Sequence, residues 1–549
     1  MKYISLVIIT ALTLLGCQST FNSNTQSNIE INQQDQNNTD LASVADIHQI
    51  LLANDAENII HPIPDGNIDL GKNTLEAYNN DIWQRIRGQL SFDIPENKRL
   101  TAQRDWFTKH PSYLSRVAKR AEPFLFYILQ ELEASNMPVE IALLPIVESA
   151  FDPFAYSHGR ASGMWQFIPD TGKRYGMKQN WWYDGRRDIV ASTKGAIAYL
   201  TYLNKFFDGD WMLALAAYNS GEGRVRKAVR KNKKKNLPTD FWSLDLPKET
   251  RAYVPKLLAL ADIIKRSDEF KITLHKIANK AVITQVAIGS QLDLAKAAEL
   301  ADLSLIELQR LNPGFNRWAT DPNGPHYLLL PNHKVELFQT NLSKLEHKDR
   351  LAWQRYKIKS GDNLGKIAHQ FNTEIAMIKQ INNIKGDNIR AGKFLLIPIA
   401  SKPLDNYILS KNQRIATTQN RKLSGKKHIH IVKAGDTLWD LSQHYKVSTR
   451  SIAKSNSIAP SDTIKPGQKL VIWQKNVVKT STNTQTLLNK PAVIRNITYR
   501  VRKGDSFARI ADKFNVRITD IERWNSINRD KYLQPGQKLK LSVNITNNI

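Results

Sequence analysis

Cysteine is almost absent from this sequence: Cys17 is the single cysteine among 549 residues. An intramolecular disulfide is therefore impossible, and zinc or iron–sulfur sites built from several cysteines are excluded. Long apolar runs are absent after the first residues, which excludes a protein with several membrane-spanning helices. Acidic residues are scarce relative to basic ones, 51 against 78, and the formal net charge of +27 indicates an anionic partner or surface.

The composition is otherwise typical of folded domains. Hydrophobic residues make up 41% of the chain and charged residues 23%, which excludes global disorder. The length of 549 residues predicts about three to four domains.

The first residues have the pattern of an export signal. Lys2 is followed by an apolar run from Ile4 to Gly16, which is too short to remain in a membrane as a spanning helix. Cys17 follows directly, and this arrangement resembles the signal of bacterial lipoproteins, in which that cysteine is acylated and becomes the new N-terminus. The next residue is Gln18 rather than Asp, which by the same resemblance implies an outer-membrane lipoprotein that faces the periplasm. The alternative is a buried cysteine near the N-terminus of a soluble protein.

Residues 1–17 are thus predicted to be the signal peptide, and 18–85 a tether with an N-terminal extension. Residues 18–45 are rich in Gln, Asn, Ser and Thr and have few aromatic side chains, which favours disorder. A nucleic-acid partner would also match the positive charge. We do not expect one, because an exported and lipid-anchored chain does not meet nucleic acid.

Three segments near the C-terminal end are repeats of one another. Each has an alternating strand, a glycine, apolar residues at helical spacing, an asparagine and a second glycine before another apolar strand. The first glycines are Gly361, Gly435 and Gly504, the asparagines are Asn382, Asn456 and Asn525, and the second glycines are Gly392, Gly467 and Gly536. The pattern predicts a βααβ module and resembles the LysM domain, which implies binding to peptidoglycan glycan strands. The alternative is a repeat that serves only protein contacts.

The predicted LysM modules span 354–400, 428–474 and 497–543. Between them, the segments 401–427 and 474–496 are polar and contain Pro403 and Pro491, so we expect flexible linkers. Three weak binding modules on such linkers would raise the overall affinity for the wall through effective concentration.

A fourth and fainter copy of the pattern lies at 271–345. Ile283–Val286 alternates like a first strand, Gly289 takes the position of the turn, and Tyr327–Pro331 resembles a closing strand. A second helical stripe ends at Asn312, although insertions lengthen the spacing. We predict a degenerate LysM-like βααβ unit that has lost glycan binding and packs on the preceding domain. The alternative is a plain helical extension of that domain.

The densest candidate chemistry lies between Trp106 and Arg266, where the apolar periodicity is helical. Pro138 suits the first turn of a helix that runs to Ser149, which places Glu148 near the C-terminal end of that helix. The negative end of the helix dipole and apolar neighbours disfavour a charged carboxylate, so the pKa of Glu148 should rise, as a general acid requires. On position alone, the alternative is a solvated surface glutamate.

Three ordered motifs begin at or follow this glutamate. They are ESAFDPFAYSHGRASGMWQFIPDTGKRYG from Glu148, AYNSGEGRV from Ala217 and ETRAYVPK from Glu249. These motifs resemble the lysozyme-like catalytic domain of lytic murein transglycosylases. With the lipoprotein signal and the LysM repeats, the whole chain resembles the membrane-bound D type of that family. The resemblance implies an α+β multidomain fold: a mainly α lysozyme-like domain at 86–270, the degenerate LysM-like unit, and three βααβ LysM modules on flexible linkers.

The resemblance also implies which residues act on the substrate. Glu148 matches the catalytic acid and base of the family. Ser157 and Gln166 match substrate-contacting positions, and Tyr218 and Asn219 match the Ala-Tyr-Asn motif on the other wall of the cleft.

Met164 and Trp165 depart from the Leu-Met pair that relatives of the soluble type carry before the glutamine. This departure concerns the detailed sugar contact and not the chemistry. A tryptophan is more often a core residue than a sugar platform, but Trp165 is the one that we expect to lie at the cleft and bind substrate, because Gln166 follows it.

The activity implied by the resemblance is cleavage of the β-1,4 bond between N-acetylmuramic acid and N-acetylglucosamine without water, which leaves a 1,6-anhydro ring. One carboxyl group suffices when the substrate supplies the second group. No metal or cofactor is implied. The alternatives are a hydrolytic muramidase of the same fold and a non-catalytic peptidoglycan-binding lipoprotein.

Overall fold

The structure is a computed structural model that describes residues 81–474, 494–502, 505–514, 516–527 and 533–544. Cys17, the predicted tether and most of the predicted linker at 474–496 lie outside the described residues. Helices make up the described chain up to Lys265, and small two-stranded sheets follow. The predicted combination of a helical domain with βααβ units is confirmed.

The helical domain is built around one apolar core. Aspartate side chains begin several of its helices by accepting backbone N–H groups of the first turn, as Asp188 does from Ala191 and Asp210 from Leu213. The helices are α1 (Ile82–Gln89), α2 (Lys98–Thr108), α3 (Pro111–Ala121), α4 (Leu125–Ala134), α5 (Leu144–Ser149), α6 (Pro169–Arg174), α7 (Ile189–Phe206), α8 (Trp211–Ser220), α9 (Glu222–Lys233) and α10 (Lys248–Lys265). Short 3-10 helices lie at Val139–Leu143 and Phe241–Ser243.

Helix α10 lies at the centre of this domain. Most of its residues from Tyr253 to Ile264 are buried, and it packs against α1, α2, α5 and α8. Its contact with α5 brings the third sequence motif against the helix that carries Glu148.

Helix α1 belongs to the same core. Ile82, Trp83 and Ile86 are buried in it, and Asp81 accepts the backbone N–H of Trp83 at the helix start. The predicted domain boundary at residue 86 therefore falls inside a helix of this domain.

The LysM-like unit follows as β1 (Ile283–Ala287), α11 (Leu294–Leu300), α12 (Leu305–Leu311) and β2 (Tyr327–Pro331). The two strands are antiparallel, with Ile283 opposite Pro331 and Ala287 opposite Tyr327. The predicted βααβ arrangement is confirmed, and the alternative of a plain helical extension is wrong. A further helix, α13 (Val335–Lys344), closes the unit and buries Phe338.

Three modules of the same topology come next. The first has β3 (Ala352–Lys357), α14 (Leu364–Gln370), α15 (Ile375–Ile381) and β4 (Phe394–Ile399). The second has β5 (Lys426–Ile431), α17 (Leu438–His444), α18 (Thr449–Ser455) and β6 (Lys469–Gln474), and the third has β7 (Ile494–Arg500), α19 (Phe507–Phe514), α20 (Ile518–Asn525) and β8 (Lys538–Asn544). In each module the two strands pair antiparallel.

The asparagine that the repeats share has a structural role. In the LysM-like unit, Asn312 donates to the backbone carbonyl of Leu329 at 2.9 Å and accepts from its N–H at 2.8 Å. The same pair of bonds joins Asn382, Asn456 and Asn525 to the closing strands of the three LysM modules. The side chain thus takes the place of a neighbouring strand for one backbone unit.

The segment after the first LysM module is folded, and the prediction of a flexible linker at 401–427 is wrong for residues 401–422, here called the strap. It contains a short 3-10 helix at Leu404–Asn406 and α16 (Lys411–Asn420). Tyr407 is 0% exposed in the core of the LysM-like unit, and its hydroxyl donates to the carboxylate of Asp293 at 3.0 Å. The polar composition reflects the exposed face of the strap, and Tyr407 packs the other face into the core of the LysM-like unit.

The LysM-like unit packs on the helical domain, as expected. Trp182 and Tyr183 of the helical domain lie in the apolar core of the unit. The Tyr327 hydroxyl donates to Asp188 at 2.9 Å, and the backbone N–H of Asn316 donates to the carbonyl of Trp182 at 2.6 Å. Buried aromatic and polar contacts therefore join the two units.

Candidate active site

Glu148 lies in the last turn of α5, two residues before Ala150, which has the left-handed conformation with a φ of 54°. The single helix predicted from Pro138 is divided into the 3-10 helix Val139–Leu143 and α5, and Pro145 in the first turn of α5 has no N–H to continue a helical ladder. Glu148 is half-buried, and the phenol of Tyr253 in α10 donates a 2.6 Å hydrogen bond to its Oε1 atom.

The surroundings of this carboxyl group change its acidity. Burial raises the pKa of Glu148 to about 7. The hydrogen bond from Tyr253 and the positive charge of Lys256 act in the opposite direction, and the negative charge of Glu249 adds to the rise. A carboxyl group with this pKa is partly protonated at neutral pH, so it can donate a proton and later accept one. The predicted rise is confirmed, with burial as its main cause.

Residues 152–166, here called the Ser157 loop, are tied to α5. The hydroxyl of Ser149, next to Glu148, donates to the backbone carbonyl of Met164 at 3.0 Å. Within the loop, the Ser157 N–H donates to the carbonyl of Ala161 at 2.9 Å, and the Ser157 Oγ accepts from the Ala161 N–H at 3.0 Å. These bonds leave the Ser157 hydroxyl hydrogen to be donated away from the turn.

Gly163 allows this loop to close against the following segment. Its φ is +83°, and a Cβ atom at this position would lie 1.8 Å from the carbonyl oxygen of Arg186, so a larger residue would displace backbone. Gln166 also has a positive φ of 51°, and its amide donates to the Gly163 carbonyl at 2.7 Å. A non-glycine residue in this region is held there by its surroundings, which here fix the position of the Gln166 side chain.

The C-terminal end of α8 carries Tyr218 and Asn219. The Tyr218 hydroxyl donates to the carbonyl of Trp165 at 2.8 Å. Burial and the nearby charge of Glu148 raise the pKa of Tyr218 well above its usual value, so it remains a neutral donor. Asn219 accepts a 2.8 Å bond from the hydroxyl of Thr250 in α10. The structure thus brings Glu148 and Tyr218 together and links Asn219 to the helix that supports the glutamate.

Comparison with known proteins decides which family has this arrangement. The chain is 36% identical over 474 residues to the membrane-bound lytic murein transglycosylase D of Escherichia coli K12, across 86% of this chain and 88% of the relative. The chain belongs to the membrane-bound lytic murein transglycosylase D family. The protein of the same name in Escherichia coli O6:H1 matches with the same identity and coverage.

Family models match the successive units of this family member. The transglycosylase SLT domain matches residues 127–240, and the LysM-like domain of the lytic transglycosylase MltD matches 282–347. The LysM domain matches 356–398, 430–473 and 499–542. Among solved structures, the lytic transglycosylase Slt of Pseudomonas aeruginosa is 25% identical over 34% of this chain and 32% of its own, with a TM-score of 0.23.

Trp165 does not have the position predicted for it. Its side chain is 0% exposed in the core of the helical domain, where its ring N–H donates to the Thr193 hydroxyl at 3.2 Å. The prediction that this ring binds sugar is therefore wrong, because the residue meets the site only through its carbonyl oxygen, which Tyr218 contacts. Trp165 packs in the core, whereas the next residue, Gln166, is only partly buried.

Sequence reasoning missed the residues of the third motif that support the site. Thr250 and Tyr253 are three residues apart in α10 and so share one helix face. They hold Asn219 and Glu148, respectively. The three-residue spacing of two hydroxyl side chains, at the start of a helix that becomes apolar towards its end, is the signal that could have identified them.

Replacing Tyr253 by Phe should move the alkaline limb of the pH–rate profile to higher pH. The lost hydrogen bond stabilises the charged carboxylate, so its removal raises the pKa of Glu148, by about one pH unit for a bond to a charged group. The pH dependence of kcat/KM on soluble glycan chains measures this shift. Tyr202→Phe, which removes a hydroxyl elsewhere in the domain, is the control, and an unmoved limb in Tyr253→Phe would contradict the assignment.

Proposed function

We propose that Glu148 is the acid and then the base with which this peptidoglycan lytic transglycosylase cleaves the β-1,4 bond between N-acetylmuramic acid and N-acetylglucosamine. The observation that carries the proposal is the half-buried carboxyl group with a pKa of about 7, hydrogen-bonded by Tyr253. Such a group is protonated often enough to act as an acid and is basic enough to take a proton back at the same pH.

In the first step, the Glu148 proton passes to the glycosidic oxygen while the bond from that oxygen to C1 of the muramic sugar breaks. The N-acetyl group of the same sugar stabilises the positive charge at C1, so no second enzyme carboxylate is required. The ionised Glu148 then takes the proton of the C6 hydroxyl as the C6 oxygen bonds to C1. The ring closes as a 1,6-anhydro sugar, and no water is consumed.

Ser157, Gln166, Tyr218 and Asn219 are proposed to bind the glycan around this carboxyl group. Ser157 can donate its hydroxyl hydrogen because its oxygen accepts from the backbone of its own turn. Tyr218 is neutral and lies close enough to Glu148 for the charge of that carboxylate to raise its pKa. Loop residues thus line one side of the site, and the end of α8 lines the other.

Mass spectrometry of the products from purified sacculi tests this chemistry. The proposal predicts 1,6-anhydromuramic ends from the first time points onward. Products heavier by one water would instead identify the hydrolytic muramidase of the same fold. No turnover by a correctly folded chain would identify a non-catalytic peptidoglycan-binding protein.

The domains proposed for this function are a catalytic domain at 86–270, a LysM-like unit at 271–345, and LysM modules at 354–400, 428–474 and 497–543. The catalytic domain is extended at its N-terminal end to include all of α1. Binding of the peptidoglycan substrate fits both kinds of domain. The three LysM modules would hold the chain on glycan strands, and several weak contacts would together retain it there. We propose no metal, cofactor or nucleic-acid partner.

The family is membrane-bound and acts on peptidoglycan in the cell envelope. No helix in the described part of the chain is long and apolar enough to cross a membrane. We propose that acylated Cys17 anchors the chain in the outer membrane, facing the periplasm. Several acyl chains at this residue would be enough for stable attachment.

Replacing Cys17 by Ser should release the protein from the membrane, because the acylated side chain is lost. Fractionation of cells into membrane and soluble parts, after a high-salt wash without detergent, measures the effect. The unchanged chain should stay with the outer membrane. Retention of Cys17→Ser in the membrane fraction would show that the lipid anchor is not at this residue.

A further inference from the structure

The second LysM module contacts the Ser157 loop through one side chain. Asp462 lies between α18 and β6, and its Oδ1 atom pairs with the Nε atom of Arg160 at 2.9 Å. Its Oδ2 atom accepts from the hydroxyl of Tyr156 at 3.1 Å. Arg160 and Tyr156 stand on either side of Ser157 in the sequence, so a single carboxylate joins both sides of this turn.

Asp462 is itself held in place by its own module. Its Oδ2 atom accepts the backbone N–H of Ala459 at 2.8 Å, and its own N–H donates to the carbonyl of Ala459 at 3.0 Å. The Asp462 side chain is 18% exposed and that of Arg160 is 49% exposed. The carboxylate is therefore already oriented by its own module, and this preorganisation reduces the loss of side-chain entropy when it contacts the loop.

The strap fixes the second LysM module in this position. At the end of α16, the Gln419 amide donates to Asn456 at 2.9 Å, the asparagine that closes this module. At the start of α16, the backbone N–H of Lys411 donates to the carbonyl of Asn316 in the LysM-like unit at 2.9 Å. Between them, the guanidinium of Arg414 lies over the ring of Phe154 in the Ser157 loop, 4.8 Å from its centroid. One helix thus bridges three units.

Within its own domain, the Ser157 loop packs against the segment around Arg186, and the side of the loop that faces this segment is here called the inner side. The guanidinium of Arg186 donates to the carbonyl of Arg160 at 2.8 Å, and Gly163 packs on the Arg186 backbone. The side chains of Tyr156 and Arg160 are exposed on the outer side. Asp462 contacts this outer side and not the inner one.

We propose that Asp462 is a positioning residue for glycan cleavage: through Arg160 and Tyr156 the second LysM module holds the Ser157 loop in its substrate-binding conformation. The module then contributes to the catalytic domain directly, in addition to any glycan that it binds itself. This inference rests on the proposed role of Ser157 in substrate binding.

The first LysM module provides a matched control. Asp387 precedes Gly392 by the same spacing as Asp462 precedes Gly467, so the two carboxylates lie in the same loop of the repeat, before the closing strand. Asp387 is 86% exposed at its side chain and pairs with Lys379 of its own module. Its substitution removes the same group from the same fold without a contact to the loop.

Steady-state cleavage of soluble, uncross-linked glycan chains by the full chain in detergent tests the proposal. Asp462→Ala should raise KM by about threefold to fivefold, the range of a partly exposed ion pair, while kcat stays within about twofold because Glu148 is untouched. Asp462→Asn should act in the same direction, since it can keep the Ala459 turn and loses only the charge that Arg160 pairs with. Asp387→Ala should match the unchanged protein.

A double-mutant cycle shows whether Asp462 acts through the loop. Arg160→Ala should raise KM in the same direction as Asp462→Ala but by no more, since the bond from Tyr156 remains, and the double variant should be no worse than Asp462→Ala alone. Additive effects would overturn the proposal, because Asp462 would then bind glycan independently of Arg160. Equal kinetics of the Asp462 and Asp387 variants would also overturn it. If Ser157→Ala leaves KM unchanged while Asp462 and Arg160 remain coupled in the double-mutant cycle, the role proposed for Ser157 fails. The proposal that Asp462 positions the loop would still stand.

Discussion

Glu148→Gln is expected to lower kcat by about a hundredfold to ten-thousandfold, the usual contribution of a general acid or base. The amide keeps the volume of the side chain and can still accept from Tyr253, but it has no proton to give and cannot take one back. Both steps of the proposed reaction therefore lose the same group. Release of anhydromuropeptides from sacculi measures the loss, and binding of the variant to sacculi should be unchanged.

The pH profile provides a second measurement of the same assignment. Because burial raises the pKa of Glu148 to about 7, the protonated acid is lost as the pH rises through that value, and kcat/KM should fall there. Glu249→Gln is the matched control, since Glu249 is an exposed neighbour whose negative charge adds to that rise. The Glu249→Gln variant should keep activity, and its alkaline limb should move to lower pH.

Substantial cleavage by Glu148→Gln would show that the acid is another residue.

Tyr407→Ala is expected to have the largest effect on stability, about 3–5 kcal/mol, as for other buried aromatic residues replaced by alanine. The substitution empties a fully buried site in the LysM-like unit and removes a hydroxyl that donates to the buried Asp293 carboxylate. The strap should then detach. Limited proteolysis should cut the variant within residues 401–422 and leave the unchanged chain intact there at the same protease concentration.

Two controls separate packing from hydrogen bonding in this experiment. Tyr407→Phe keeps the ring and should cost about 1–3 kcal/mol, since Asp293 loses one donor but still accepts from the backbone N–H of Ser401. Leu404→Ala, at an exposed position in the same segment, should have little effect. Rapid cutting of the unchanged chain within the strap would mean that this segment is a flexible linker after all.

The accuracy of the sequence predictions followed the range of the interactions involved. The repeats and their strands depend on local patterns, namely alternation and helical spacing, and these were predicted correctly. The role of Glu148 as the acid, which was inferred from a motif, stays a prediction. The LysM-like unit was also predicted, although its insertions weaken the pattern, because Asn312 and the strand Tyr327–Pro331 kept their order. Trp165 was misplaced because burial depends on which neighbours surround a side chain, and Trp165 is buried although the next residue, Gln166, is only partly buried.

The amino-acid sequence by itself determined the family, the order of the units and the candidate acid, because these reside in residue types and their spacing. Only the tertiary structure decided that Tyr253 hydrogen-bonds that acid, that Tyr407 turns a polar segment into a packed strap, and that Asp462 meets the Ser157 loop. Each of these contacts joins residues that are far apart in the chain. A local sequence pattern carries no information about contacts between distant residues, because packing of the core sets the distances between them.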